Sequence, residues 1–538
     1  MRIDWLWIKD YKNLKGLTID FAQDHLITVL IGRNGTGKSN VLEALAVLFR
    51  DLITGENEQG IKNKPSFAFR ICYQIKDQWV RIDADPDDVS PYRVKIASFK
   101  NAKRPDPDVH FNDAIGSELS LARLRDEDEG YLPKFVFGYY SGQSQRMEDI
   151  FRKYLTRYDR DLRSGKFPGI KRLFYALPVH SNFVLLSFII NNADLTDKFL
   201  AEQLGLEEGG IDSVLFVLRQ PSWSSKNGDA RFWNARGLVA EFLARLYDIS
   251  LAPIRLKRRE KVSLWNTREI EFLYLFVKNL EALRELGVGK TTAQFFQELE
   301  STYVSELIEE IRIRVKLRKN DGSVTFRELS EGEQQLLTVL GLLRFTAEEE
   351  SLFLLDEPDT HLNPRWSVEY IQHIRSFLAM PGRENQSSHV LLATHNPIAV
   401  AELEKEQVQI LNRDEQTMII SASEPDTHPR GMGYAGVVTS EMFGLSAALD
   451  TYTQGLLAKK RRLSSKSELT DDERNDLRTI NEELQTYGFR YEVRDPEIKK
   501  ILQDADLGVE YADPAVDDPQ QKEKALRLVK NALSKREG

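Results

Sequence analysis

Residues 32–39 read GRNGTGKS, and this stretch decides the fold. It fits GxxxxGK(S/T) at every fixed position, and it follows the continuous apolar run LITVLI at residues 26–31. Its glycines let the backbone turn tightly, so that successive N–H groups point at phosphate oxygens, and a helix that begins after the loop adds its positive dipole end. The pattern therefore predicts a strand, a phosphate-binding loop and a helix, which form the core of an α/β nucleotide-binding fold.

The chemistry of phosphate binding gives separate roles to the last two residues of this loop. Lys38 is expected to reach the β- and γ-phosphates, and the Ser39 hydroxyl is expected to bind Mg²⁺. The alternative is a tight strand-to-helix turn without a ligand, and the complete match in its strand–helix context argues against it. The residues predicted to surround ATP are Gly32, Arg33, Asn34, Gly35, Thr36, Gly37, Lys38, Ser39 and Asn40.

A second apolar stretch, LFLL at residues 352–355, ends in the carboxylates of Asp356 and Glu357. A buried strand would deliver both to the C-terminal edge of an open α/β sheet, where ligands bind. Asp356 is predicted to hold Mg²⁺ through water, and Glu357 to orient and polarise the attacking water. An ordinary strand that runs into an acidic loop is the alternative, and the phosphate-binding loop upstream weakens it.

Residues 329–335, LSEGEQQ, lie just upstream of that strand and resemble the LSGGQ signature of ABC/SMC-type ATPases. In that family the signature serine and glycine bind the γ-phosphate held by the other subunit of a head-to-tail dimer. The resemblance gives these roles to Ser330 and Gly332, whereas Glu331 and Glu333 depart from the family pattern. Ser330 and Glu333 also fit a capping box, an alternative that explains both residues without a nucleotide.

The resemblance extends to three further elements of the family. Asn363 lies at the D-loop position, where an aspartate is usual, and His395 matches the His-switch that senses the γ-phosphate. A glutamine-bearing loop should contact Mg²⁺ and water; Gln143 is the candidate, and Gln145 is the alternative. The catalytic residues predicted in this way are Lys38, Glu357 and His395.

The spacing of apolar residues predicts an ABC-type ATPase head in two lobes. Residues 1–150 alternate like strands around the phosphate loop, and residues 319–415 carry the signature, the Asp–Glu strand, the D-loop and the His-switch. The expected fold class is therefore α/β, with a mixed sheet around the phosphate loop.

Two other regions are predicted to be mainly helical. Residues 151–318 carry apolar residues at three- and four-residue spacing, which predicts a compact helical insertion with helices over 178–191, 235–247, 265–286 and 292–316. Residues 416–538 are highly charged and are predicted to be a helical, partner-binding region, with a hairpin at 446–463 and 470–487.

Composition indicates a cytoplasmic protein that does not contact the membrane. The chain has one cysteine and a formal charge of −9, and it shows neither a signal peptide nor an apolar run approaching about 18 residues. These features argue against a transporter ATPase, and they restrict nucleic-acid contacts to local basic runs, which are more often solvated faces. The candidate positions are Arg255, Lys257, Arg258, Arg259 and Lys261, and Lys459, Lys460, Arg461 and Arg462.

The opening residues 3–14, IDWLWIKDYKNL, look like the start of RecF-like and overcoming-lysogenization-defect ATPases. The latter carry a Toprim nuclease, which needs a glutamate after one strand and Asp-x-Asp after another. The region after His395 contains VQILN at residues 408–412 and no such acidic pair. We therefore predict ATP hydrolysis without an intrinsic nuclease.

Short motifs in the tail and the head resemble PtuA, the ATPase family of Septu-type anti-phage systems, including those attached to retrons. The motifs are TSEMFGL at 439–445, YGF at 487–489, RDP at 494–496, YYSG at 139–142 and RLFYA at 172–176. The resemblance implies a defence ATPase that gates a separate HNH nuclease, PtuB, through nucleotide-dependent dimerisation. It also implies, where a retron is attached, a reverse transcriptase with its RNA/DNA product.

Two other functions stay open at this point. The first is a RecF/SMC-like DNA-repair ATPase that binds DNA directly. The second is a nucleotide-gated scaffold whose hydrolysis is slow or absent.

Overall fold

The structure is a computed structural model, and it describes most of the 538 residues. It describes all residues except 22–24, 77, 99–115, 143, 167–170, 191–199, 202–204, 262–266, 319–322, 327–329, 347–349, 379–387, 446–447, 467–468 and 488–538. The chain divides into two compact units, Met1–Gly444 and Leu445–Gly538.

The strands are β1 Arg2–Tyr11, β2 Leu14–Asp20, β3 Ile27–Ile31, β4 Phe69–Ile75, β5 Gln78–Ala84, β6 Tyr92–Ser98, β7 Ser117–Glu118, β8 Phe135–Tyr140, β9 Leu173–Tyr175, β10 Leu206–Arg219, β11 Leu251–Lys261, β12 Thr267–Val277, β13 Ile308–Leu317, β14 Ser323–Thr325, β15 Ser351–Asp356, β16 His389–Ala393, β17 Val408–Arg413 and β18 Ile420–Ser423. The helices are α1 Lys38–Thr54, α2 Leu121–Arg125, α3 Arg146–Arg163, α4 His180–Ile190, α5 Gly237–Ile249, α6 Leu280–Leu286, α7 Thr292–Val304, α8 Glu331–Thr346, α9 Pro364–Leu378, α10 Pro397–Val400, α11 Gly433–Thr439, α12 Thr451–Ser464 and α13 Asp471–Thr486. None of the helices in the described residues is long and apolar enough to cross a bilayer.

The strand before the phosphate loop lies inside a seven-stranded sheet of order β18-β17-β3-β16-β15-β8-β9. The neighbours from β17 to β9 pair in parallel, and β18 joins the edge antiparallel. Every residue of β3, β15 and β16 is buried, as expected for parallel strands that are covered on both faces. Because carboxyl ends of parallel strands meet at one edge, the loops after these strands converge there. The predicted α/β fold is confirmed.

Alternate side chains of this sheet contribute to two apolar cores. Ile27, Val29 and Ile31 join a core that also contains residues of α4, α7 and α8. Leu30 joins the other core, which contains α1 and the antiparallel sheet β2-β1-β4-β5-β6-β7. Helix α1 is buried along most of its length because it packs against both sheets, as in the contact of Phe49 with Tyr73 of β4.

The region 151–318 contains helices, as predicted, but it also contains a five-stranded antiparallel sheet of order β11-β12-β10-β13-β14. Two of the four predicted helices, those over 178–191 and 235–247, correspond to α4 and α5. The other two are wrong in part. Residues 265–286 form β12 and α6, and residues 292–316 form α7 followed by most of β13.

The C-terminal region also differs from the prediction at its start, because β18 lies within residues 416–538 and pairs with β17. The predicted helical hairpin is present as α12 and α13. Its helices share a small apolar core of Leu463, Ile480 and Leu484, and an ion pair joins Lys459 to Asp476 at 2.8 Å.

Candidate ATP-binding site

The loop after β3 has the backbone shape that its glycines predict. Gly32, Gly35 and Gly37 have φ of +147°, +84° and +89°, values that side chains rarely permit. A Cβ on Gly32 would lie 2.4 Å from the Leu411 carbonyl oxygen, and one on Gly37 would lie 2.7 Å from the Leu14 side chain. Sequence and packing therefore both require glycine at these two positions.

Lys38 begins α1 and points back into the loop. Its Nζ donates a hydrogen bond to the Gly32 carbonyl oxygen at 2.9 Å, and the side chain is buried. Burial lowers the pKa of Lys38, whereas the nearby carboxylates of Glu357 and Asp356 act in the opposite direction. The ammonium thus lies between the phosphate loop and the two carboxylates predicted to be catalytic and metal-binding.

Ser39 and Asp356 are brought together as a predicted magnesium-binding pair. Burial raises the pKa of Asp356 to about 6, while a hydrogen bond from Ser39 lowers it. The other carboxylate oxygen, Oδ1, is buried and has no hydrogen-bond partner among the described residues. A buried carboxylate oxygen without a partner beside a hydroxyl suits a divalent cation that takes oxygen ligands, so these residues fit Mg²⁺.

Glu357 lies directly opposite the predicted His-switch. The His395 Nε2 is 2.8 Å from the Glu357 Oε2. Glu357 has φ of +54°, an unusual conformation for this residue type, and its N–H donates to the Ala393 carbonyl oxygen at 2.8 Å. The bond between the ends of β15 and β16 holds this turn, and the turn aims the carboxylate at the histidine.

Polar contacts that the sequence did not predict, one of them buried, support this turn. The Thr394 hydroxyl donates to Asp359, 2.9 Å from each carboxylate oxygen, and burial raises the pKa of Asp359 to about 6. The Thr360 hydroxyl donates to the Glu357 carbonyl oxygen at 2.9 Å, and Ser141 donates to Thr360 at 3.2 Å. The loop after β8 is therefore hydrogen-bonded to the turn that holds Glu357.

The signature residues form the N-terminus of α8. The Ser330 hydroxyl accepts from the Glu333 N–H at 3.3 Å, and the Ser330 N–H donates to Glu333 Oε2 at 2.7 Å, so the capping box that the sequence allowed is present. The Ser330 hydroxyl also donates to Glu333 Oε2 at 2.9 Å. A Cβ on Gly332 would lie 2.5 Å from the His361 carbonyl oxygen. The Gln335 amide donates to the Pro358 carbonyl oxygen at 2.5 Å. The signature helix thus packs directly against the D-loop.

Asn363 and Gln143 are the two other residues predicted to contact the nucleotide or its metal, and the described contacts do not bear on those roles. Asn363 accepts a hydrogen bond from the Trp366 N–H at 3.0 Å and so stabilises the start of α9. Gln143 lies outside the described residues. Gln145 directly precedes α3, and its side chain makes no capping hydrogen bond there.

Asn13, in the turn between β1 and β2, is a residue of this site that sequence reasoning missed. Its amide donates to the Gly35 carbonyl oxygen at 3.1 Å, and it accepts from the Asn40 amide at 2.5 Å. Glu43 is a second residue of the site that the sequence did not predict. It is buried on α1 and forms an ion pair with Lys12, and its carboxylate lies 3.6 Å from Arg146. A single acid in the otherwise apolar run VLEALAVLF, at residues 41–49 of α1, was the available signal for Glu43.

The fold and these residues define a P-loop nucleoside triphosphatase head, with the phosphate loop and the predicted magnesium-binding and catalytic residues at one sheet edge. The chain belongs to the family described as AAA domain, putative AbiEii toxin, Type IV TA system, whose model matches residues 27–401. It is therefore an AAA-type ATPase.

Two relatives have related names. The chain is 21% identical over 466 residues to the retron Vc95 probable ATPase of Vibrio cholerae serotype O1 biovar El Tor. This alignment covers 80% of this chain and 77% of that protein. The chain is 22% identical over 267 residues to the Septu protein PtuA of Bacillus mycoides strain KBAB4. This second alignment covers 48% of this chain and 34% of that protein. These similarities confirm the resemblance drawn from the sequence.

Among solved structures, an Smc head bound to the C-winged helix domain of ScpA aligns with a TM-score of 0.33 and 13% identity, over 79% of this chain and 98% of that chain.

Proposed function

We propose that this chain is the ATP-hydrolysing subunit of an anti-phage defence system, in which ATP closes a head-to-tail dimer that gates a separate HNH nuclease. The observation that carries the ATPase part is the 2.8 Å contact of His395 with Glu357 at the same sheet edge as Lys38 and Asp356. Similarity to the retron ATPase and to PtuA supports the defence role.

In the proposed mechanism the chain supplies positioning and charge. Bound Mg²⁺ would neutralise phosphate charge, and Ser39 and Asp356 would hold it. Lys38 would stabilise the negative charge that develops on the γ-phosphoryl oxygens. Glu357 would accept a hydrogen bond from the attacking water and orient it. His395 would fix the Glu357 carboxylate and respond to the γ-phosphate.

The dimer part of the proposal rests on the exposure of the signature. Ser330 is exposed at the N-terminus of α8, and the adjacent Glu331 side chain is 83% exposed. A helix N-terminus binds phosphate through its dipole and its N–H groups. In the dimer, the γ-phosphate held by a second copy would take the place of Glu333 at the Ser330 hydroxyl.

The charge distribution argues against the DNA-repair alternative. Arg255 forms an ion pair with Glu271 at 3.0 Å, and Arg259 lies opposite Glu269 on the neighbouring strand. In the other basic run, Lys459 pairs with Asp476. Acidic neighbours therefore offset part of both predicted basic runs.

The decisive experiment compares Glu357→Gln with the parent chain in the presence of the proposed HNH nuclease subunit. We expect hydrolysis to fall by about a hundredfold or more, because the water loses the carboxylate that orients it. We also expect an ATP-stabilised dimer that size-exclusion chromatography with light scattering detects. The matched control is Glu369→Gln, a glutamate of α9 that pairs with His373 and lies outside the proposed catalytic set.

Two results would contradict the proposal. One is parent-like hydrolysis by Glu357→Gln, which would remove the assigned catalytic role. The other is a nuclease whose activity is the same with the trapped dimer, with the parent and without ATP, which would remove the gating role.

A further inference from the structure

The five-stranded sheet of the insertion has one face in the main core. Val214, Phe216 and Leu218 of β10 and Leu273 and Leu275 of β12 are all buried in that core. In an antiparallel sheet with one packed face, the residues between these positions are usually polar because they face water.

Here the second face is apolar as well. Cross-strand partners point to the same face, so the register identifies its members. Leu215 pairs with Phe276, Ile254 pairs with Tyr274, and Leu256 pairs with Phe272. The sheet therefore has two apolar faces: one is packed in the main core, and the other carries a small separate cluster of the buried side chains Val217, Ile270 and Phe272.

Large apolar side chains remain exposed along the edge of this second face. Leu251, Ile254, Leu256 and Phe276 are 58%, 52%, 46% and 37% exposed. We refer to these four residues as the outer stripe. A contiguous exposed apolar patch on a folded protein commonly marks a protein interface.

The charges around the outer stripe indicate what kind of surface would cover it. Along the paired positions of this face, arginines outnumber glutamates; the arginines are Arg219, Arg258, Arg268, Arg312 and Arg314, and the glutamates are Glu260 and Glu310. Glu260 pairs with Arg219 at 3.2 Å and Glu310 pairs with Arg312 at 2.8 Å, and the other arginines give the face its basic excess. Two copies of this face would bring their basic rims together and repel each other. An apolar segment flanked by aspartates or glutamates would match both the stripe and its rim.

We infer that the outer stripe is the docking surface for the nuclease subunit, which contacts it through an apolar segment with acidic flanks. This inference rests on the proposed function for the identity of the partner. The apolar second face and its basic rim are properties of this chain alone.

The test is the affinity of the full chain for the nuclease subunit, measured by biolayer interferometry. The double variant Ile254→Asp, Leu256→Asp places charge at the centre of the stripe and should weaken binding by about a hundredfold or more. Because both side chains are about half exposed, thermal unfolding and ATP hydrolysis should stay at parent values. The matched control is Val288→Asp, at a residue that is 76% exposed in the turn after α6.

A second variant, Arg268→Glu, tests the rim. It should weaken binding by about tenfold at low salt and by less at high salt, because exposed charges are screened. Binding of the double variant at parent affinity would overturn the docking inference. The inference would also be overturned if the double variant no longer formed its own dimer but still bound the nuclease. In that case the stripe would be the contact surface for a second copy of this chain. If the parent chain binds no nuclease at all, the proposed function fails instead.

Discussion

Two residues of the candidate site differ in whether the sequence alone predicts their role. The role of Lys38 follows from its place in the phosphate-loop motif, and the structure directs its ammonium to the Gly32 carbonyl oxygen. Asn13 belongs to no motif, since its role arises only when the β1–β2 turn meets the loop at Gly35. Local motifs are readable from sequence, whereas contacts between distant segments need the fold.

Gly332 provides a residue-scale prediction about packing. An alanine methyl at this position would lie 2.5 Å from the His361 carbonyl oxygen, and a backbone atom cannot move aside cheaply. We expect Gly332→Ala to destabilise the chain by about 1–3 kcal/mol, as overpacking does. Urea unfolding followed by circular dichroism measures the change.

The control for this prediction is Gly455→Ala on α12. No atom lies within 4 Å of a Cβ built there, so the alanine should be neutral or should stabilise the helix by about 1 kcal/mol. Equal destabilisation by both substitutions would show that contact with His361 is not the cause.

His389 provides a prediction about pH. The Ile3 N–H donates to its Nδ1 at 3.1 Å, so Nε2 carries the proton and donates to the Thr28 hydroxyl at 3.0 Å. Burial lowers the pKa of this neutral imidazole to about 3. An unfolded histidine takes up its proton near pH 6.5, so this group's contribution is complete above about pH 6.5 and is lost as the pH falls towards 3.

The comparison of His389→Gln with the parent isolates this contribution, because glutamine does not titrate. We expect the free energy of unfolding of the variant to fall less steeply between about pH 6.5 and pH 4 than that of the parent. Parallel curves for His389→Gln and the parent would contradict the assignment.

At the scale of elements, sequence reasoning found the strands of the head and missed those of the insertion. β3 and β15 are short apolar runs next to motifs, which fix their identity. In β12 the run FLYLFV at residues 272–277 is apolar on both faces, so it lacks the alternation that separates a strand from a helix. Its aromatic residues favour a strand, and that was the signal available. β13 alternates Ile311, Ile313 and Val315, but the helical spacing of α7 before it hid the change.

A buried ion triad joins β9, α4 and α7 and gives an element-scale prediction. Glu300 of α7 accepts hydrogen bonds from Lys171, just before β9, and from His180 of α4, both at 2.6 Å. Burial raises the pKa of Glu300, but the Lys171 charge and the hydrogen bonds from Lys171 and His180 outweigh it and lower the pKa to about 2. Glu300→Gln would leave the Lys171 charge buried and unpaired, so we expect a loss of about 3–5 kcal/mol.

The matched control is Glu309→Gln, which breaks an exposed ion pair with Arg219 and should change stability by less than about 1 kcal/mol. Urea unfolding of both variants at pH 7 separates the two cases. A loss of similar size in both would mean that the triad does not fasten α7 to the head.

At the scale of the whole molecule, the question is whether one active site is built from two chains. The structure gathers Lys38 and Glu357 at one sheet edge of a single chain, whereas Ser330 is exposed on α8. If the signature acts on the nucleotide of a second copy, Lys38→Ala and Ser330→Arg damage different halves of each site. Each variant alone should then be nearly inactive, because both sites of its dimer are incomplete.

Mixing these two variants before ATP is added should restore hydrolysis. A mixed dimer contains one intact site and one doubly damaged site, so an equal mixture should reach about a quarter of the parent rate for randomly paired, independent sites. Lys38→Ala mixed with Glu357→Gln is the control and should stay inactive, because both residues serve the site of their own chain. An inactive mixture of Lys38→Ala with Ser330→Arg, in chains that still dimerise, would place the signature and the phosphate loop in the same site of one chain.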